Sequence, residues 1–187
     1  MTNKRRVRYQ VAMSLDGYIA GPNGEYDWIV MDDDIDFKAL FAQFDTFLIG
    51  RKTFEAMGGA PSRSKGTKTF VFSTTLKADK HPRVTIVADR VAETVNALRA
   101  EKGKDIWLFG GGSLFRSLLA AGVVDSVEVA VMPVLLGAGT PLLPSPASAA
   151  TLTLTGHKLY PKSGIMLLEY AVQDRFLSES ARGSARA

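Results

Sequence analysis

Three apolar runs in the chain each end in a short polar run of a kind that receives anions. Gly50, Arg51, Lys52 and Thr53 follow "TFLI", Ser73, Thr74 and Thr75 follow "TFVF", and Gly110, Gly111, Gly112 and Ser113 follow "IWLF". Three glycines in succession give up backbone entropy, so they serve either a phosphate that approaches bare N–H groups or a tight strand-to-helix turn with no ligand. Arg51 and Lys52 add charge and Thr53 a hydroxyl beside a second such turn, a set suited to phosphate, although Arg51 alone reads equally as a solvated helix-start residue. Ser113 is expected as a helix N-cap. Two carboxylates are candidates for proton chemistry, each with a plainer reading. Asp34 lies before an amphipathic segment, where the helix dipole favours a negative charge, and Asp16 precedes Gly17 in an ordinary turn dipeptide.

Several familiar sites are excluded by spacing. The glycine run lacks the third spaced glycine of a dinucleotide fingerprint and comes late in the chain, and "GGAPSRSKGTKT" misses the second glycine of a phosphate loop. Ser113 has no trailing glycine to make a nucleophile elbow. With no cysteine and only His81 and His157 as imidazoles, no metal site is expected and no disulfide framework exists.

The elements that must carry these residues follow from periodicity. Strands are expected at Arg6–Ser14, Thr46–Ile49, Thr69–Phe72, Val84–Val87, Ile106–Phe109 and Val124–Val131. Helices are expected at Asp33–Asp45, straight after Gly50, at Val91–Lys102 and at Ser113–Ala121. Alternation of this kind implies a largely parallel sheet covered by helices, and "TLTLTGHKLY" with "IMLLEYAV" around "PKSG" implies a terminal antiparallel hairpin. The loop "DGYIAGPNGEYDW" is long for a compact domain, which marks it as a functional candidate. In an open parallel sheet ligands collect at the carboxyl ends of strands, so the three polar runs reinforce one another.

The 187 residues, 46% hydrophobic, suit one domain over residues 1–175, with 176–187 a loose tail. The net charge of +4 is concentrated at Lys4, Arg5, Arg6 and Arg8 and in the tail, which leaves the body nearly neutral and argues against a nucleic-acid partner. No run approaches a membrane span, and Tyr9–Leu15 is short for a signal peptide's apolar region, so a cytoplasmic protein without a membrane partner is expected.

"VAMSLDGYIA", "FLIGRKTFEAM", "FVFSTT" and "IWLFGGGSLFRSLLAAGVVDSVEVAVMPVLLGAGTPLL", in that order, resemble the dihydrofolate-reductase-like superfamily and, within it, most resemble the RibD C-terminal domain family of riboflavin-biosynthesis reductases. The likeness runs from about Arg6 to Val172. It implies a three-layer α/β fold, a mostly parallel twisted sheet with a C-terminal antiparallel hairpin and helices on both faces. It also implies NADPH laid across the strand ends and a homodimer on the hairpin side. By position, Gly111, Gly112 and Ser113 would meet the pyrophosphate, with Gly110 and Leu114 also against the cofactor. Arg51, Lys52 and Thr53 would hold the adenosine-side phosphates, including the 2′-phosphate, with Gly50 also against the cofactor and Ser73 and Thr74 beside the adenine ribose. Ala12 and the loop from Leu15 to Ile19, Tyr18 included, would border the nicotinamide. Trp28 either caps the substrate pocket or pins its loop to the core. The folate enzymes' pterin-binding carboxylate falls on Asp34.

Two departures bear on the substrate. Tyr18 stands where the riboflavin reductases carry lysine after "SLDG", and their substrate-phosphate segments are not apparent. The resemblance therefore implies an NADPH-dependent reductase of a small heterocyclic or carbonyl substrate. The alternatives are a nucleotide-binding module without catalysis and a true 5-amino-6-(5-phosphoribosylamino)uracil reductase.

Overall fold

The computed structural model describes residues 4–59 and 66–173. The expected tail, 176–187, and part of the loop after Gly59 lie outside them. Eight strands form one sheet: β1 (Val7–Ser14), β3 (Phe44–Gly50), β4 (Lys68–Phe72), β5 (Thr85–Val87), β6 (Asp105–Gly110), β7 (Ser126–Met132), β9 (Leu152–Tyr160) and β10 (Ile165–Val172). Their spatial order is β5-β4-β3-β6-β1-β7-β10-β9. The first six run parallel, and β10 and β9 close the sheet antiparallel. Two short strands absent from the sequence reading, β2 (Tyr18–Ala20) and β8 (Thr140–Pro141), pair with each other beside it.

The central strands are apolar on both sides because helices cover both faces. On one face Tyr9, Leu48, Leu108, Val127 and Val129 pack against Val95 and Leu98 of α3 (Val91–Ala100) and Leu114, Phe115 and Leu118 of α4 (Gly112–Ala120). On the other, Phe47, Ile49 and Trp107 pack with Phe54 of α2 (Arg51–Ala56) and Leu40 of α1 (Phe37–Phe41). Such two-sided burial is what makes parallel strands read as continuous hydrophobic runs.

The first helix is far shorter than its periodicity predicts. Asp36 caps it, its side chain accepting from the Ala39 N–H at 2.8 Å, so Asp33 and Asp34 stay in the preceding loop. At the other end Phe44 leaves the helical pattern to start β3, where it is 2% exposed and lies 4.8 Å from the Trp107 ring. Burial in the aromatic cluster overrides helix propensity there. α4 begins one residue earlier than expected: Gly111 is the N-cap and Ser113 is an exposed second helical residue, not the cap.

Two of the four basic residues at the start of the chain, Arg5 and Arg8, are spent internally at the amino edge of the sheet, while Lys4 and Arg6 are exposed. Arg8 makes a bidentate pair with the buried Glu128, both contacts 2.7 Å, and lies 4.7 Å from the centre of the Phe44 ring. Arg5 is buried and pairs with Asp45 and Thr46. Neither guanidinium is available to a nucleic-acid backbone. Among the described residues no helix is long and apolar enough to cross a membrane.

Candidate active site

The carboxyl edge of the sheet is a continuous ledge. Gly50 of β3 pairs with Phe72 of β4 on one side, and Ile49 pairs with Gly110 of β6 on the other; Ser14 of β1 pairs with Met132 of β7 further along. With neighbouring strands about 4.8 Å apart, the ledge from Ser73 to Met132 crosses four gaps and spans about 19 Å. The three polar runs of the sequence reading are therefore brought together along one edge.

The three glycines meet different demands. Gly110 has φ +148°, a conformation that side-chain-bearing residues rarely adopt, and a cis peptide joins it to Gly111. A Cβ on Gly112 would lie 2.7 Å from the Pro141 carbonyl oxygen and 2.9 Å from Pro144 Cδ, so the packed 141–144 segment excludes any larger residue. Gly111 is under neither constraint. Its φ of −95° is ordinary, and a Cβ there would meet only Thr53 Oγ1, at 3.3 Å. No side chain caps the helix it starts. A Cβ on Gly50 would lie 3.4 Å from the Gly111 nitrogen, so the two turns share one narrow cradle with the Thr53 hydroxyl at its side. Such bare, uncapped N–H groups at the head of α4 suit an anionic group.

Beside this cradle Arg51 is half-buried and forms an i,i+4 pair with Glu55 at 2.8 Å, while Lys52 is exposed. Ser73 is 9% exposed, and its hydroxyl accepts from the N–H groups of Thr75 at 3.1 Å and Leu76 at 3.0 Å. It shapes the turn, which leaves the exposed Thr74 as the outward hydroxyl. Leu114 is buried in the core under the cradle.

At the far end of the ledge the two candidate carboxylates have quite different surroundings. Asp16 accepts from the Ser14 hydroxyl at 2.6 Å, from the Leu136 N–H at 3.1 Å and from the Gly137 N–H at 2.7 Å. These bonds, the Ser14 hydroxyl foremost, hold its carboxyl below the usual range. They also fasten the turn after β1 to the segment after β7. Asp34 is about half exposed and pairs with Lys162 in the β9–β10 turn at 2.9 Å. That carboxylate, first by its hydrogen bond, raises the Lys162 amine.

Asp32 went unnoticed in the sequence. It is 5% exposed, and its Oδ1 accepts from the Asp34 N–H at 2.9 Å. The Ser163 hydroxyl first, then the Asp34 N–H, keep its carboxyl low. The run "DDD" gives no sign of which member turns inward, because that is decided by contact with a turn 131 residues further on.

The other expected substrate residues surround the same end. Ala12, Trp28 and Ile35 pack on the cluster of Met132, Tyr160 and Ile165. The Trp28 Nε1–H donates to the Glu25 carbonyl at 3.0 Å, which favours the pinning role for this side chain. Tyr18 is half-buried in β2, its N–H donating to Ser14 Oγ at 2.9 Å, and Leu15 is 65% exposed at the rim.

A mostly parallel eight-stranded sheet, closed by an antiparallel pair and lined along its carboxyl edge by glycine turns, defines a dihydrofolate-reductase-like α/β protein. The family model of the RibD C-terminal domain matches residues 5–165, and the chain belongs to that family. It is 35% identical over 186 residues to YyaP, an uncharacterized protein of Bacillus subtilis (strain 168), covering 91% of this chain and 98% of that one. A putative riboflavin biosynthesis protein from Shewanella sp. PV-4 superposes with a TM-score of 0.75 at 24% identity, covering 90% of this chain and 99% of that one. Dihydrofolate reductase from Enterococcus faecalis, complexed with NADP(H) and RAB-propyl, superposes with a TM-score of 0.67 at 19% identity, covering 90% and 97%. A reductase-type fold is thereby established.

Proposed function

We propose that the protein is an NADPH-dependent reductase of a small heterocyclic or carbonyl substrate. The observation that carries this reading is the cradle at Gly50, Gly111 and Thr53, where backbone N–H groups stand bare in the middle of the ledge and cations flank one side only. The N–H groups at the head of α4 would hold the pyrophosphate. Arg51, Lys52 and Thr53 would hold the adenosine-side phosphates, with Thr74 beside the ribose, and Ala12, Leu15 and Tyr18 would border the nicotinamide. Bound NADPH supplies the hydride. The chain's own part is to orient the substrate under the Trp28 loop and to manage a proton. Of the two carboxylates Asp34, solvent-exposed and paired with Lys162 alone, suits that work, whereas Asp16 is saturated by its three donors.

The same saturation of Asp16, and the Asp34–Lys162 pair, favour a second reading in which the chain binds the nucleotide without turnover. Calorimetric titration with NADPH, followed by NADPH oxidation across a panel of pterins, pyrimidines and quinones, separates the two. Binding with turnover supports the reductase, binding alone supports the module, and no binding refutes both.

Two further assignments go with this reading. The nine-residue edge strand β9 exposes Leu152, Leu154 and Leu159 on an open sheet edge, a surface that suits pairing with a second copy of the chain. A cytoplasmic location suits a chain with no cysteine. Sedimentation velocity tests the dimer.

A further inference from the structure

A cavity of about 230 Å³ opens beside α2, away from the carboxyl ledge. Phe54, Pro82 and Val84 form its apolar part, and Lys80, His81 and Arg83 bring three basic side chains to it. Two successive turns place them there. The Lys80 and His81 N–H groups donate to the Lys77 and Ala78 carbonyls at 3.1 and 3.0 Å, and the Val84 N–H donates to the His81 carbonyl at 3.2 Å across Pro82 and Arg83. Proline in the second position of such a turn already has the backbone angle required. The His81 ring stands edge-on to Phe54, centroids 5.3 Å apart, which seats the imidazole on a side chain that is 1% exposed and part of the core. Among the described residues no carboxylate lines the cavity, and neither Lys80 nor Arg83 has an ion pair or a side-chain hydrogen bond. Asp79 belongs to the first turn but lies outside the lining. Val84 leads into β5 at its amino end, so the three residues of that strand, about 10 Å, separate it from the ledge. Gly59, which also borders the cavity, lies beyond the end of α2 remote from Arg51.

From this cavity we infer a ligand site separate from the cofactor cradle, one that takes a small aromatic phosphate monoester. The ring lies on the apolar floor of Phe54, Pro82 and Val84, and the phosphate sits among Lys80, His81 and Arg83. Size sets the ligand class. An apolar cavity of about 150 Å³ holds benzene, and the remainder of about 80 Å³ is the liquid volume of two to three waters, room for one tetrahedral anion but not for a second ring. Charge sets the head group: a lysine and an arginine with no carboxylate to neutralise them favour a dianion. Arg5 and Arg8 are paired inside the protein, whereas these cations have no internal use. The site does not depend on the reductase reading.

The test is calorimetric titration of the full chain with phenyl phosphate, inorganic phosphate and phenol. Phenyl phosphate should bind about tenfold or more tightly than either of the others, because it alone uses both the floor and the cations. The double variant K80Q/R83Q, at two exposed and unpaired side chains, should keep the wild-type Tm and weaken phenyl phosphate about tenfold or more. The double variant R51Q/K52Q, altered beside the cofactor cradle, should bind phenyl phosphate as the wild type does. Phenyl phosphate that binds no more tightly than inorganic phosphate overturns the inference, as does binding indifferent to K80Q/R83Q. Binding lost in R51Q/K52Q also overturns it, because the anion would then sit on the ledge. Absence of binding overturns it outright.

Discussion

Replacing Gly111 by aspartate distinguishes a ligand cradle from a plain turn by the signs of two measurements. The backbone there, φ −95° and ψ −171°, is open to any residue, and the new Cβ would meet only Thr53 Oγ1 at 3.3 Å, a contact relieved by a few tenths of an ångström. Gly111 is the N-cap of a helix that no side chain caps. Aspartate in place of glycine at an N-cap gains a few tenths of a kcal/mol, and a carboxylate at the positive end of the helix dipole gains about 0.3–1 kcal/mol. Gly111→Asp should therefore stabilise the fold by about 0.5–1 kcal/mol, raising Tm by about 1–4 °C for a chain of this size. The same carboxylate occupies the N–H groups that the pyrophosphate needs and repels it. Losing one charge-assisted contact of about 1.5–3 kcal/mol weakens NADPH about 10- to 150-fold, with repulsion adding to that. Gly112→Ala is the control. Its Cβ meets backbone at 2.7 Å, so it should cost about 1–3 kcal/mol of stability while the folded fraction binds NADPH within a few-fold of wild type. Differential scanning and titration calorimetry on the three proteins decide the matter. A Gly111→Asp protein that is stabilised yet binds NADPH like wild type would refute the cradle and leave the glycine serving the turn alone.

Arg51→Ala should weaken NADPH about 10- to 150-fold and NADH little, as titration with the two cofactors will show. Its exposed pair with Glu55 contributes at most about 0.5 kcal/mol, so Tm should barely move. Asp16→Asn should lower stability at neutral pH. Because the folded carboxyl titrates below its unfolded value of about 3.9, its stabilisation is complete above that value and is lost as pH falls through the folded one, so the wild-type and variant stability curves should converge in acid. Asp34→Asn should reduce turnover by about 10²- to 10⁴-fold with NADPH affinity within a few-fold, measured on the first panel substrate that is turned over. Unchanged turnover would move the proton chemistry away from Asp34.

The fold was legible because parallel strands buried on both faces leave short apolar runs that end in turn residues, as at "TFLIG" and "IWLFG". Their order along the chain alternates with helices as the sheet requires. What periodicity misjudged was decided by contacts distant in sequence. Phe44 sits on the helical face of a convincing pattern, yet it enters β3 because Trp107, from β6, supplies the aromatic surface that buries it. β2 and β8 were invisible because three residues and two residues carry no period. They exist because Gly139 lets the backbone of one approach Ala20 of the other, where a Cβ would overlap the Ala20 carbonyl oxygen.

The site shows the same division more sharply. Three adjacent glycines look equivalent in the sequence, but one answers to its own backbone angle, one to the Pro141–Pro144 segment packed on it, and only Gly111 is left with nothing but Thr53 in front of it. Among the described residues, nothing requires that last one to be bare. The carboxylates sort in a parallel way. Asp16, Asp32 and Asp34 lie within 19 residues of one another, yet each finds its environment more than 100 residues away, Asp16 at Leu136 and Gly137, Asp32 at Ser163 and Asp34 at Lys162. The first is satisfied, the third is paired in solvent, and the second is buried. A group satisfied within the protein has little left for a ligand, and a pair in solvent can open at small cost. On the reductase reading proposed above, proton chemistry at this end of the ledge would therefore fall to Asp34, while Asp16 joins the turn after β1 to the segment after β7.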